Sequence, residues 1–143
     1  MECLDSSVLV KWFKADEPKA KEAYALYERA KKTRSLYAAN EWLILEVIRG
    51  LAKAQVSKEN LKEICSMLER MFASGIIWRI NVSDVLRSAE EIEIELNLHS
   101  ADAVHLASAI ESRSTVFWTE DEHFHKKAVL DYAKKYGLQI KRL

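Results

Sequence analysis

The sequence predicts an α/β sandwich in which helices cover both faces of a mainly parallel sheet. Short segments rich in branched and aromatic residues alternate with longer segments of helical periodicity, the order typical of parallel sheets. Apolar residues make up 49% of the chain, and only three glycines and one proline interrupt it, which favours helix. The length of 143 residues suits one core, so we expect residues 1–143 to form a single domain.

The first half of the chain predicts two strands and four helices. Apolar side chains recur every three or four residues at Leu43, Val47 and Leu51, and again at Ile64 and Leu68, which is the spacing of amphipathic helices. The predicted elements are a strand at MECLD, a helix beginning in SVLVKWF, a helix capped by Asp16, Glu17 and Pro18 and running to about Thr33, a strand at SLYAA, and a helical hairpin over 40–54 and 57–72.

The second half predicts three strands and three helices. Gly75 ends the hairpin, IIWRINV and TVFW have the branched and aromatic content of strands, and QIKRL forms the last strand. The predicted helices run from a cap at Ser83 to Leu96, from a cap at Ser100 to Ile110, and from the capping-box segment Thr119–Glu122 to near Gly137. Helices therefore separate the predicted strands to the end of the chain.

Charge and cysteine content restrict the function. The 22 basic and 22 acidic residues cancel, so no global field attracts nucleic acid or an anionic membrane, and a polyanionic substrate needs local cations or a bound metal. Cys3 and Cys65 lack the spacing of a zinc or redox motif and predict buried thiols in a reducing compartment. No segment suits a membrane span or a signal peptide, so we expect a cytoplasmic protein without membrane partners.

Two carboxylates follow predicted strands. Asp5 ends the first strand, and Asp121 follows TVFW. Ligands of parallel sheets bind beyond the carboxyl ends of the strands, where both side chains could face one crevice. Each also has an ordinary explanation, because Asp5 can cap the next helix and Asp121 can complement a helix dipole.

Two more carboxylates lie in predicted helices. Glu46 is the single polar residue in WLILEVI, so it is paired, bound to a cation or costly; an ion pair with Arg49 is an equally good explanation. Asp102 lies in the first turn of its helix, where a negative charge is favourable on its own. Together the four acids are the oxygen ligands that a hard divalent cation requires, and such sites bind phosphate as a remaining ligand. This set predicts metal-assisted phosphodiester hydrolysis.

Four segments resemble the PIN-domain ribonucleases, specifically the VapC-type toxins of toxin–antitoxin pairs. They are LDSSVLVKWF, LEVIRGL, SADAVHLASAI and FWTEDEHF, in the order and separation of that family over essentially the whole chain. The resemblance implies a three-layer α/β/α fold, a site of Asp5, Glu46, Asp102 and Asp121, and cleavage of RNA that depends on Mg²⁺ or Mn²⁺. It also implies a homodimer and a cognate antitoxin. Arg49 stands where the family often has asparagine.

The members of the site that the resemblance implies are assigned separate roles. We assign Asp5, Asp102 and Asp121 to metal ligation, with Glu46 completing the shell or holding a second ion. Other residues are weaker candidates. Ser6 and Thr119 could orient Asp5 and Asp121 or act only in a cap and a turn, and Lys11, Arg49 and Lys126 could contact RNA or be solvated surface. His105 is expected to be a packed or hydrogen-bonded core residue rather than a substrate contact.

Two other functions fit part of the pattern. A PIN-like module without catalysis could bind RNA or a protein, although four clustered carboxylates without metal repel one another. A phosphatase could use Asp5 as nucleophile, but that chemistry usually needs a second aspartate two residues later, where this chain has Ser7. The sequence therefore favours the metal-dependent nuclease.

Overall fold

The computed structural model describes residues 1–143 and contains five strands, seven α-helices and one short 3-10 helix. The strands are β1 (Glu2–Leu4), β2 (Tyr37–Asn40), β3 (Ile77–Ile80), β4 (Val116–Trp118) and β5 (Gln139–Lys141). The α-helices are α1 (Ser6–Phe13), α2 (Ala20–Lys32), α3 (Leu43–Lys53), α4 (Lys58–Ala73), α5 (Val82–Leu96), α6 (Ser100–Glu111) and α7 (Lys127–Lys135), and the 3-10 helix is Glu122–His125.

The five strands form one sheet in the order β3-β2-β1-β4-β5, and every neighbouring pair is parallel. This confirms the predicted parallel sheet. Strand order runs outward from β1 to β3 on one side and from β4 to β5 on the other. The boundary between β1 and β4 is therefore the switch point at which open parallel sheets bind ligands.

Helices cover both faces of the sheet, which confirms the three-layer α/β/α sandwich. Leu4 and Tyr37 point into a core shared with α1 to α4. Their neighbours Cys3 and Ala38 point into a second core shared with α5, α6 and α7. This alternation follows from the two-residue period of a strand, and burial on both faces explains why the central strands β1, β2 and β4 are mainly apolar.

Asn40 belongs to β2, whereas the sequence predicts that it begins a helix. Its side chain is almost fully buried and donates hydrogen bonds from Nδ2 to Nδ1 of His105 at 2.9 Å and to Oγ of Ser108 at 3.1 Å. These contacts with α6 hold Asn40 in the sheet, so α3 begins three residues later, at Leu43.

Three helices begin at residues other than their predicted caps. Lys19 has a left-handed φ of 61°, so α2 begins at Ala20 and not in the turn at Asp16 to Pro18. Extended residues Asn81 and His99 precede α5 and α6, which places Ser83 and Ser100 inside first turns. By contrast, α4 has a side-chain cap: the Ser57 hydroxyl accepts a hydrogen bond from the Asn60 amide at 3.2 Å. Serine is a favoured residue at this position.

The chain after β4 does not form the single helix that the sequence predicts. Lys126 is extended, with φ −69° and ψ 144°, and separates the 3-10 helix from α7. The reason is that Asp121, not Thr119, caps the segment: its carboxylate accepts the His123 amide at 2.9 Å. The Thr119 hydroxyl is engaged instead with Asp5, to which it donates at 2.9 Å.

Neither cysteine forms a disulfide, and Cys3 is buried while Cys65 is half-buried. Burial raises the pKa of the Cys3 thiol, and the nearby charge of Asp5 raises it further. None of the helices combines the length and apolar character that crossing a membrane requires.

Candidate metal centre

The four carboxylates predicted from the sequence line one open cavity of about 450 Å³. Asp5 directly follows β1, and Asp121 lies three residues beyond β4. The Asp5 amide donates to the Trp118 carbonyl at 3.0 Å, so the two strand ends are neighbours. Glu46 and Asp102 enter the cavity from the first turns of α3 and α6. Elements from both faces thus meet at the carboxyl ends of β1 and β4.

Asp5 is held rigidly through one of its two oxygens. Oδ2 accepts hydrogen bonds from the Ser7 hydroxyl at 2.6 Å, the Thr119 hydroxyl at 2.9 Å and the Ser7 amide at 3.3 Å. The amide bond is the helix cap of α1, so the cap and the site use the same carboxylate. Oδ1 accepts no hydrogen bond from the protein and remains available for a ligand.

Ser7 orients Asp5, although the sequence suggests Ser6 for this role. The Ser6 hydroxyl donates to Oε2 of Glu46 at 3.4 Å. The Ser7 hydroxyl also accepts the Glu120 amide at 3.0 Å, which ties α1 to the loop after β4. A hydroxyl two residues after an aspartate is the local signal that would have found Ser7. Thr119 donates its hydroxyl to the Asp5 carboxylate and accepts the backbone amide of Asp121 at 3.1 Å, so it contacts the side chain of the first acid and the main chain of the second.

Glu46 is paired with His105 and makes no ion pair with Arg49. Oε1 of Glu46 forms a hydrogen bond with Nε2 of His105, whose ring is 1% exposed. Because Asn40 donates to Nδ1 of this ring, Nε2 carries the proton that bonds Glu46. His105 is therefore a hydrogen-bonded core residue, as the sequence predicts.

Asp102 is buried, and its one ion-pair contact is with Nδ1 of His123, 3.9 Å from its Oδ2. The residue is 8% exposed, accepts no hydrogen bond from the protein and forms no ion pair with a lysine or an arginine. Burial raises the pKa of its carboxyl to about 6, and the charges of Asp121 and Asp5 contribute to the rise. A carboxylate in this position is stabilised by a bound cation, because the cation replaces lost hydration and offsets the neighbouring charges.

His123 joins the acids, which sequence spacing does not reveal. Its Nδ1 lies 2.9 Å from Oδ1 of Asp121 and 3.9 Å from Oδ2 of Asp102. The potential ligand atoms of these three residues all lie within 4.8 Å of one another. His125 turns away and bonds the Thr119 carbonyl through Nε2 at 2.9 Å. The oxygen-rich donor set and its uncompensated charge fit a divalent cation such as Mg²⁺ or Mn²⁺.

Of the basic residues that could contact RNA, Arg49 lines the main cavity together with Lys53, which the sequence does not single out. Lys11 is turned away, because its ammonium donates to the Pro18 carbonyl at 2.8 Å. Lys126 lines an adjoining cavity of about 170 Å³ that it shares with Asp102 and His123. The cationic wall of the main cavity, Arg49 and Lys53, is thus on α3.

Comparison with known families and structures agrees with this architecture. The PIN domain family model matches residues 3–130. The chain is similar to a toxin–antitoxin complex from Klebsiella pneumoniae, with 20% identity, a TM-score of 0.62, and coverage of 89% of this chain and 92% of that one. No curated protein is significantly similar in sequence.

Two further solved structures share the fold. VapBC2 from Rickettsia felis, bound to a DNA fragment from its promoter, is 15% identical with a TM-score of 0.61, and the match covers 99% of this chain and 98% of that one. FitAB bound to a DNA fragment is 14% identical with a TM-score of 0.62, and the match covers 99% and 94%. At these identities the similarity establishes the fold.

Proposed function

The chain belongs to the PIN-domain family, and from this premise we propose that it is a metal-dependent endoribonuclease that hydrolyses phosphodiester bonds of RNA. One observation carries the proposal. Asp5, Glu46, Asp102 and Asp121 converge in one cavity at the switch point of the sheet, and the buried Asp102 receives no hydrogen bond from the protein. Carboxylates in this arrangement repel one another unless a cation binds, and a cation held by oxygen ligands binds phosphate.

In this proposal Asp5, Asp102 and Asp121 hold the cation and Glu46 completes the set. The Ser7 and Thr119 hydroxyls fix Oδ2 of Asp5 and leave Oδ1 available to a cation. When bound, Mg²⁺ or Mn²⁺ supplies an acidified water as nucleophile and electrostatic stabilisation of the phosphate in the transition state. No side chain needs to act as nucleophile.

Substrate binding is assigned to the cationic wall of the cavity. Arg49 and Lys53 are exposed on one side of α3, next to the acids. Their charges can hold the RNA phosphates on either side of the bond that is cleaved. The zero net charge of the chain makes such local contacts necessary, because no global field retains the substrate.

We further propose that the protein is a VapC-type toxin, comprising one domain over residues 1–143, acting as a cytoplasmic homodimer and blocked by a cognate antitoxin. One of the similar solved structures is described as a toxin–antitoxin complex. The free cysteines suit a reducing compartment. Light scattering tests the dimer, and a small antitoxin-like reading frame adjoining this one would support the partner.

The nuclease assignment is tested with a fluorogenic RNA in the presence of Mg²⁺, Mn²⁺ or EDTA. We expect cleavage with at least one metal, none in EDTA, and a large loss in Asp5→Asn. Asp131→Asn is the matched control, because this exposed aspartate pairs with Lys127 on α7, outside the cavity. A wild-type protein that is inert with either metal once freed of partners, or an equally active Asp5→Asn variant, contradicts the assignment. A DNA strand of the same sequence tests the preference for RNA.

A further inference from the structure

We propose that Asp102, Asp121 and His123 form a mixed oxygen–nitrogen cation position that binds a transition-metal ion such as Mn²⁺ in preference to Mg²⁺. This position adjoins the one formed by Asp5 and Glu46 and shares two carboxylates with it. The inference rests on the proposed function only because Asp102 and Asp121 serve both positions. It assigns His123 a role as a metal ligand.

The distances between the three side chains suit a metal ion. Ligand atoms about 2.0–2.2 Å from a common ion lie about 3 Å apart when adjacent and about 4 Å apart when opposite. Nδ1 of His123 lies 2.9 Å from Asp121 and 3.9 Å from Asp102. Small side-chain movements therefore bring all three atoms onto one ion.

Asp102 independently indicates a ligand on this side. Its side chain is 12% exposed, receives no hydrogen bond, and lines both the main cavity and the smaller adjoining one. Its carboxylate is therefore reachable from the side that carries Asp5 and from the side that carries His123. Neither Asp102 nor Asp121 pairs with a lysine or arginine, and His123 is the one basic side chain in an ion-pair contact with them.

The local chain conformation holds His123 in place. The Asp121 carboxylate accepts the His123 amide at 2.9 Å, which fixes the two residues in one tight turn. The edge of the His99 ring packs against the His123 ring, with centroids 5.5 Å apart and planes at 75°. His123 is still about half exposed, so an ion can reach it from solvent.

The nitrogen ligand determines the expected selectivity. Mg²⁺ favours oxygen ligands and dehydrates reluctantly, whereas imidazole suits transition-metal ions. The position formed by Asp5, Glu46 and their neighbours offers only oxygen from the protein. The imidazole of His123 therefore adds a preference for Mn²⁺ that the four acids alone do not provide.

The test is Mn²⁺ binding to the metal-free protein, followed by electron paramagnetic resonance, with wild type, His123→Gln and His99→Gln. We expect electron spin-echo measurements to detect coupling of bound Mn²⁺ to an imidazole nitrogen in wild type and in His99→Gln but not in His123→Gln. We also expect His123→Gln to weaken Mn²⁺ binding by about tenfold or more while leaving Mg²⁺ affinity nearly unchanged.

Two results overturn the inference. One is the absence of nitrogen coupling in wild type, which would mean that His123 is only a hydrogen-bond partner of Asp121. The other is an equal loss of Mn²⁺ and Mg²⁺ affinity in His123→Gln, which would indicate a general structural effect. The metal-binding role of His123 and the proposed nuclease activity can fail independently. RNA cleavage with Mg²⁺ and no nitrogen coupling refutes only the His123 position, whereas coupling without cleavage by the free protein under either metal refutes only the nuclease.

Discussion

The carboxylate of Glu46 and the imidazole of His105 form a hydrogen bond that joins α3, on one face of the sheet, to α6, on the other. The residues are 59 positions apart in the chain. Asn40, at the end of β2, extends the contact by bonding the other ring nitrogen. An acid expected to bind metal is thus oriented by a buried histidine, which is in turn oriented by the sheet.

Replacing His105 should weaken the metal centre without removing any ligand. His105→Leu has a similar volume but leaves Glu46 without its buried donor, so we expect metal affinity to fall by roughly 10–100-fold. His105→Gln retains an N–H donor and should recover part of the loss. Calorimetric titration with Mn²⁺ measures the affinity, and thermal unfolding shows that each variant is folded. A His105→Leu variant that binds Mn²⁺ like wild type would show that the contact does not position Glu46.

The two serines after Asp5 should differ in importance. Ser7→Ala removes the 2.6 Å bond to Asp5 and the acceptor of the Glu120 amide, whereas Ser6→Ala removes one 3.4 Å bond to Glu46. We expect Ser7→Ala to lower the free energy of unfolding by roughly 1–3 kcal/mol, because a hydrogen bond to a buried charge is lost. Ser6→Ala serves as the matched control with a smaller change. Urea denaturation distinguishes them, and equal losses would contradict the assignment of Ser7.

Asp102 should make the metal-free protein less stable as pH rises. Its pKa is about 6 when folded, against a usual value of 3.8, so between these values the folded state binds more protons than the unfolded state. The free energy of unfolding therefore falls as pH rises through this interval. The Asp102→Asn side chain cannot ionise, so the free energy of unfolding of this variant should not decrease over the interval. The variant should therefore be more stable than wild type above pH 6.

Thermal unfolding in EDTA at a series of pH values tests the role of Asp102. The melting temperatures of wild type and Asp102→Asn should diverge between about pH 4 and pH 6 and stay apart above it. Asp131→Asn, on the exposed surface of α7, controls for the loss of an aspartate charge. Curves that remain parallel over the whole range would show that the Asp102 carboxyl is not perturbed.

RNA binding should depend on the cations of α3. We expect Arg49→Ala and Lys53→Ala to weaken binding of catalytically inactive Asp5→Asn protein to single-stranded RNA. Each should also reduce the slope of log affinity against log salt by about 0.7, the contribution of one phosphate contact. Lys11→Ala is the control, because its ammonium is bonded to the Pro18 carbonyl. Equal effects of Lys11→Ala and Arg49→Ala would place the RNA elsewhere.

Several features of the fold could be predicted because their causes are local. The helical spacing in 57–72 predicts α4 within one residue at each end, since an amphipathic stripe depends on nearby residues alone. The apolar character of the strands predicts a sheet buried on both faces, as the two cores confirm. The positions of Asp5 and Asp121 after strands predict that they meet, because parallel strands end on the same edge.

Other features could not be predicted, because their causes lie far along the chain. Asn40 suits the start of a helix by local rules, but its bonds to His105 and Ser108 keep it in β2. Thr119 has the spacing of a cap, but its hydroxyl donates to Asp5, 114 residues away. In both cases a distant partner outweighs the local preference, because an unpaired buried polar group costs more than a shifted helix start.

The sequence by itself determined the layered α/β architecture and predicted the four acids that line the main cavity, since periodicity and residue type carry that information. Only the tertiary structure decided how those acids are held. In the folded protein Ser7, not Ser6, bonds the Asp5 carboxylate. His105, not Arg49, is the partner of Glu46, and His123 lies beside Asp102. Hydrogen bonds form over about 3 Å, and whether two side chains come within that distance depends on how the helices of both layers pack against the shared sheet.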